Sequence, residues 1–161
     1  MLMTIPKTID RRPSGADTVT VDEMKRIVSE LAAVKSKQDI EAALAIYHPE
    51  GVLQSPPMGA RSQGADELRR GLEIFFKFAP DYSVQLTGQA ADGDTLCSWG
   101  TISFTPAYTF RGAKPNGARV TTPVFILFRF KDRKIVWESF HFDLADVAHQ
   151  AGVPAEAYRR P

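Results

Sequence analysis

The chain has 161 residues, 43% of them hydrophobic and 24% charged, a composition that suits one soluble domain burying roughly 70% of the surface its unfolded form exposes and speaks against a two-domain enzyme. Twenty basic against nineteen acidic residues leave a net charge of +1, too little for the phosphate-neutralising footprint of a nucleic-acid binder. The lone Cys97 excludes a disulfide framework or thiolate cluster, and apolar runs far short of the ~20 residues of a membrane span, with no signal-peptide pattern, point to the cytoplasm.

Residues 1–19 mix Pro6, Pro13, Gly15 and scattered charges without an apolar period and are expected to form a flexible arm. Thr20 and Glu23 have capping-box spacing, and Val21, Met24, Ile27, Val28, Leu31 and Val34 recur at helical intervals, which predicts a helix over 21–37. Asp39 is a plausible N-cap for a second helix carrying Ile40, Ala43, Leu44 and Tyr47, stopped by His48-Pro49-Glu50-Gly51. A short strand over 52–55 and a loop over 56–59 precede a third helix over 65–78, with Leu68, Leu72, Phe75, Phe76 and Ala79 on one face and Pro80 at its end.

From Tyr82 the period changes to that of strands: residues 82–87, a turn at Asp92-Gly93, then strands over 96–104, 120–130 and 135–142, the last two joined at Asp132-Arg133. A short helix from Asp143 to Gln150, ending at Gly152, closes the pattern. Helices followed by a meander predict an α+β domain over 20–153, with a tail over 154–161.

Strand parity carries the functional reading. Over 120–130 both faces are apolar, Val124, Ile126 and Phe128 against Phe125 and Leu127, so both faces are expected to be covered. In the last strand Val136, Phe140 and Phe142 share one face with Glu138, a largely apolar surface suited to pairing with a second copy. Ile135, Trp137, Ser139, His141 and Asp143 share the other, where aromatic bulk alternates with a hydroxyl, an imidazole and a carboxylate, as on the wall of a small-molecule pocket. Cys97, Trp99, Thr101 and Ser103 repeat this mixture on the neighbouring strand and are expected to turn inward with it.

Ala79-Pro80-Asp81-Tyr82, Asp92-Gly93-Asp94, the loop from Lys114 to Val120, Phe128-Arg129-Phe130, Lys134-Ile135-Val136, Phe142-Asp143-Leu144 and Gln150-Ala151-Gly152 occur in an order and spacing that resembles the SnoaL-like polyketide cyclases over residues 20–153. These share the fold of nuclear transport factor 2 and ketosteroid isomerase. The resemblance implies an NTF2-like, cystatin-like α+β cone, a curved antiparallel sheet wrapped around three to four helices. It also implies a deep apolar cavity, a homodimer through the outer sheet face, and acid/base chemistry without metal or organic cofactor. The cyclases place a catalytic aspartate at the end of the last strand, which matches Asp143. Limonene-type epoxide hydrolases need an Arg-x-Asp pair where this chain has Ser98-Trp99-Gly100-Thr101, and the tyrosine and two carboxylates of ketosteroid isomerase find no residue-by-residue match.

Aldol ring closure begins with removal of a proton α to a carbonyl, which needs a carboxylate base and a donor near the developing oxyanion. Asp143 and His141 are the candidates, with Trp137, Trp99, Tyr47, Gln54 and Thr101 as ligand-binding residues. Six of these have structural alternatives: Asp143 as N-cap with Asp146 three residues on, His141 as a hydrogen-bonded core residue, Tyr47, Trp99 and Trp137 as core, and Gln54 as an ordinary loop polar. Three histidines without HxxxH or HxH spacing argue against a metal site. The expected function is a cofactor-free aldol cyclase or isomerase acting on a hydrophobic carbonyl compound such as a polyketide, with no nucleic-acid or membrane partner. The alternatives are a non-catalytic small-molecule-binding module, and a hydrolase or dehydratase of the same superfamily.

Overall fold

A computed structural model describes residues 18–159. The expected N-terminal arm lies outside the described residues except for Thr18 and Val19, and Val19 is buried in the core. Four α-helices and a six-stranded sheet follow: α1 (Val21–Ser36), α2 (Ile40–Ile46), β1 (Tyr47–Ser55), β2 (Ala60–Gln63), α3 (Ala65–Phe78), β3 (Ser83–Asp92), β4 (Thr95–Phe104), β5 (Val120–Lys131), β6 (Lys134–Phe142) and α4 (Leu144–Ala151).

Local chemistry sets the helix ends as anticipated. The Thr20 hydroxyl accepts from the Glu23 amide at 3.2 Å while the Glu23 carboxylate accepts from the Thr20 amide at 3.0 Å, a complete capping box for α1. Asp39 caps α2 through the Ala42 amide, and Asp143 caps α4 through the Asp146 amide, both at 3.0 Å. Gly152 ends α4 with φ of 70°, a left-handed conformation that glycine adopts with no Cβ penalty.

The sheet runs β2-β1-β6-β5-β4-β3, an unclosed order with one parallel pair, β1 on β6, among antiparallel neighbours. Consecutive positive φ values at Asp132 and Arg133, 51° and 60°, give the β5–β6 hairpin a two-residue turn that matches the twist of its strands. Register shifts interrupt the β3–β4 ladder between Leu86 and Gly88 and the β5–β6 ladder between Arg129 and Phe130, and such irregularities bend a sheet. At Gly100 the β3 backbone comes so close that a Cβ would meet the Gln85 carbonyl.

Three details depart from the sequence reading. The first strand begins at Tyr47 rather than Val52, with its register shift between Tyr47 and Val52 absorbing the Pro49-Glu50-Gly51 interruption. The polar β2, Ala-Arg-Ser-Gln, is an unanticipated edge strand held by pairing to β1. The expected tail includes a 3-10 turn, Ala155–Tyr158, whose Tyr158 is fully buried with its ring 5.4 Å from Phe78.

Helices α1 and α3 pack against the sheet, α1 on β3 and β4 and α3 on β1 and β2. They cover the face built from Val124, Ile126, Phe128 and Phe130 of β5 and from Glu138, Phe140 and Phe142 of β6. The opposite face carries Trp99 and Phe125, cross-strand partners that are 41% and 45% exposed. Within the chain only the concave face of β5 is covered, and the β6 face of Phe140 and Phe142, read from the sequence as the pairing surface, is this helix-covered one. The sum over strands decides which: on the concave side the pairs Val124–Phe142, Ile126–Phe140 and Phe128–Glu138 extend an apolar surface across the hairpin, whereas Thr121, Pro123 and Arg129 interrupt the other side.

Candidate functional site

Between α1, α3, β1, β6 and the β4–β5 loop lies a cavity of about 70 Å³. Leu53, Met58, Leu72, Phe75, Phe78 and Phe140 give it an apolar wall, and Phe110 of the loop joins them. Phe75 stands edge-on to Tyr82 at 5.1 Å and to Phe140 at 6.2 Å, so three elements fix the aromatic wall. The loop is tied back at its ends: the Thr105 amide donates to Asp81 at 2.6 Å, and Arg119 is ion-paired with the same carboxylate.

Two charged side chains face this wall, Lys35 from the last turn of α1 and Glu138 from the middle of β6. Lys35 Nζ donates to both Glu138 carboxylate oxygens at 3.0 Å, with side-chain exposures of 11% and 1%. The Tyr47 hydroxyl donates a short hydrogen bond to Glu138 Oε2, and Lys35 Nζ sits 5.5 Å from the centre of the Tyr47 ring. Burial first, then the negative charge of Glu138 and the hydrogen bond to it, push the Tyr47 phenol well above its usual range. Tyr82 is raised as well, by burial and then by Glu138, so both phenols are neutral beside the pair. Ser55 and Ser62 add hydroxyls to the lining, and the buried Ser55 Oγ has no hydrogen-bond partner among the described residues.

Lys35 and Glu138 each had a signal in the sequence. Met24, Val28 and Leu31 form a buried helical stripe whose next position is Lys35, and Glu138 is a lone charge among Val136, Phe140 and Phe142. Two opposite charges, each alone on an apolar face, are the pattern of a buried pair.

The residues singled out from the sequence are placed differently. Of the expected ligand-binding set, Tyr47 lies beside the cavity through its bond to Glu138. Asp143 is exposed at the α4 N-terminus with its carboxylate on the Asp146 amide, and it does not line the cavity. His141, Trp137, Trp99 and Thr101 lie on the convex face, opposite the cavity, which corrects the inward orientation given to them, and Gln54 lies on the same convex face. Three of the convex residues are linked: Gln54 Nε2 donates to Ser139 Oγ at 3.1 Å, and Ser139 Oγ is 2.7 Å from His141 Nε2. Trp137 is covered instead by Arg129, whose guanidinium carbon is 5.1 Å from a ring centre. Among the described residues no cluster of three or more metal-ligating side chains occurs, and no helix is long and apolar enough to cross a membrane.

The model of the SnoaL-like domain family matches residues 28–138, from the middle of α1 to the cavity glutamate. The chain belongs to that family. No curated protein matches this SnoaL-like domain. Its fold is that of a hypothetical protein with a ketosteroid isomerase-like fold from Catenulispora acidiphila, solved with trimethylamine (TM-score 0.72, 18% identity, covering 81% of this chain and 95% of the other). It is also that of a protein described as a SnoaL-like polyketide cyclase from Jannaschia sp. (TM-score 0.73, 15% identity, 89% and 99% covered). IdmH from Streptomyces antibioticus, described as a polyketide cyclase, is a third such structure (TM-score 0.68, 18% identity, 80% and 98% covered). This SnoaL-like domain is thus a mixed α+β cone with a curved, unclosed sheet, as the resemblance implied.

Proposed function

We propose that this SnoaL-like domain is a cofactor-free acid/base enzyme of the cyclase or isomerase type, acting on a small hydrophobic carbonyl compound held in the apolar cavity, with Glu138 as the proton-transferring group in place of Asp143. The observation that carries this reading is the buried carboxylate on the cavity wall, held by Lys35 at 3.0 Å and by Tyr47. When Glu138 takes a proton α to the carbonyl, the negative charge moves to the enolate oxygen, and the Lys35 ammonium stabilises it there as it stabilised the carboxylate. Glu138 then returns the proton, to another carbon in an isomerisation or to the oxygen formed when the enolate carbon closes a ring. A cavity of about 70 Å³ is small beside the roughly 300–1,000 Å³ of pockets that enclose drug-sized ligands, which favours a compact substrate or one end of a longer one.

The test is deuterium exchange at carbons α to the carbonyl of small cyclic ketones, followed by NMR in deuterium oxide. Glu138→Gln is expected to slow enzyme-dependent exchange by about 10²-fold or more, and an unchanged rate overturns the assignment. One observation favours a non-catalytic binding module instead: Glu138 is only 1% exposed, with both oxygens already engaged. That reading predicts saturable ketone binding without exchange in the wild type. In the same proposal the domain acts in the cytoplasm and pairs with a second copy through the convex face, where Trp99 and Phe125 stand exposed.

A further inference from the structure

From the charge balance of the cavity we infer that the site selects uncharged ligands, and that Lys35 and Glu138 set this selectivity jointly, so that removing either one converts it into a site for a ligand of defined charge. The inference rests on the cavity being the ligand site, as in the proposed function. Lys35 and Glu138 are the charged side chains on the wall, and they cancel each other at 3.0 Å with almost no access to solvent. Tyr47 and Tyr82, the other titratable groups at the pair, are neutral phenols. The rest of the wall is apolar apart from the Ser55 and Ser62 hydroxyls.

A ligand carrying a carboxylate or an ammonium therefore loses its hydration shell without meeting an unpaired counter-charge, and the ion pair would have to open to supply one. An uncharged ligand loses less hydration, and its single polar end lies beside Ser55, whose buried hydroxyl has no partner among the described residues. Glu138→Gln leaves the Lys35 ammonium as a lone positive charge on the wall, a counter-ion for an anion. Lys35→Met leaves the Glu138 carboxylate, a counter-ion for a cation.

The experiment uses three single-ring probes of nearly equal size, benzyl alcohol, benzoate and benzylammonium, titrated at pH 7 and followed by chemical-shift changes in the protein. The wild type is expected to bind benzyl alcohol at least ten-fold more tightly than either ion. In Glu138→Gln the preference moves toward benzoate by ten-fold or more, and in Lys35→Met toward benzylammonium by a similar factor. Wild-type binding of either ion as tight as that of the alcohol overturns the inference, as do folded single variants whose preferences do not move in opposite directions. Should a single variant fail to fold, the wild-type ranking of the probes decides. Perturbation at the cavity by all three probes alike defeats the charge argument alone, whereas binding of none of them defeats the cavity as ligand site and the proposed function with it.

Discussion

The buried pair of Lys35 and Glu138 makes a quantitative demand on stability. At 3.0 Å and an effective dielectric of about 20, two unit charges attract by about 5–6 kcal/mol. Taking an ammonium and a carboxylate out of water opposes this by several kcal/mol, so the pair as a whole contributes little net stability while each member depends on the other. Lys35→Met strands a carboxylate with the Tyr47 hydroxyl as its remaining partner, and Glu138→Gln strands an ammonium against the Tyr47 ring. Each single substitution is expected to lower the unfolding free energy by about 3–5 kcal/mol. The double variant Lys35→Met/Glu138→Gln, which buries no charge, is expected to be more stable than either single variant. Urea denaturation followed by the fluorescence of Trp99 and Trp137, both on the face away from the cavity, measures all four proteins, and the cycle isolates the coupling. Single effects that simply add in the double variant would refute the reasoning, because additivity means the two groups do not depend on each other.

Asp143→Ala is expected to lower stability by about 1 kcal/mol through loss of the α4 cap, with ketone exchange unchanged, as read by urea denaturation and NMR. Tyr47 and Tyr82 predict an alkaline limit: their folded values are raised, so the folded chain keeps phenol protons that the unfolded chain releases near about pH 10. Their contribution is complete below that pH and is lost above it, each group adding a slope of about 1.4 kcal/mol per pH unit. Tyr82→Phe should remove one such slope from a urea-midpoint series between about pH 9 and 11. Phe125→Arg, which sets a charge in the centre of the exposed convex face, should convert a dimer to a monomer in light-scattering chromatography, and a monomeric wild type would contradict the pairing proposed for that face.

Most of the architecture could be read from local signals, because those signals act locally. The Thr20–Glu23 box, the Asp39 and Asp143 caps, the Gly152 stop and the Asp132-Arg133 turn each need only a few neighbouring residues to take effect. β2 was not legible, since a four-residue polar strand exists only through its pairing with β1. The orientation of β6 was not legible from β6 alone, where Phe140 and Phe142 oppose Trp137 and His141 with similar bulk. The choice is made by cross-strand neighbours, with Ile126 and Phe128 of β5 extending the side of Glu138 and Arg129 interrupting the side of Trp137. The site followed that orientation, so Glu138 took the inward place expected of His141.

The parallel ladder between β1 and β6 has a consequence for how the polypeptide is made. Until β6 leaves the ribosome, β1 has β2 as its sole strand partner, and Lys35 waits 103 residues for its counter-ion. Loops of that length close late and non-local pairing slows folding, so the nascent N-terminal half carries an unfinished sheet edge and an unneutralised lysine through most of translation. Hairpins β3–β4 and β5–β6 are free to form first, and zipping β6 onto β1 is then the event that seals the hollow and joins its two charges.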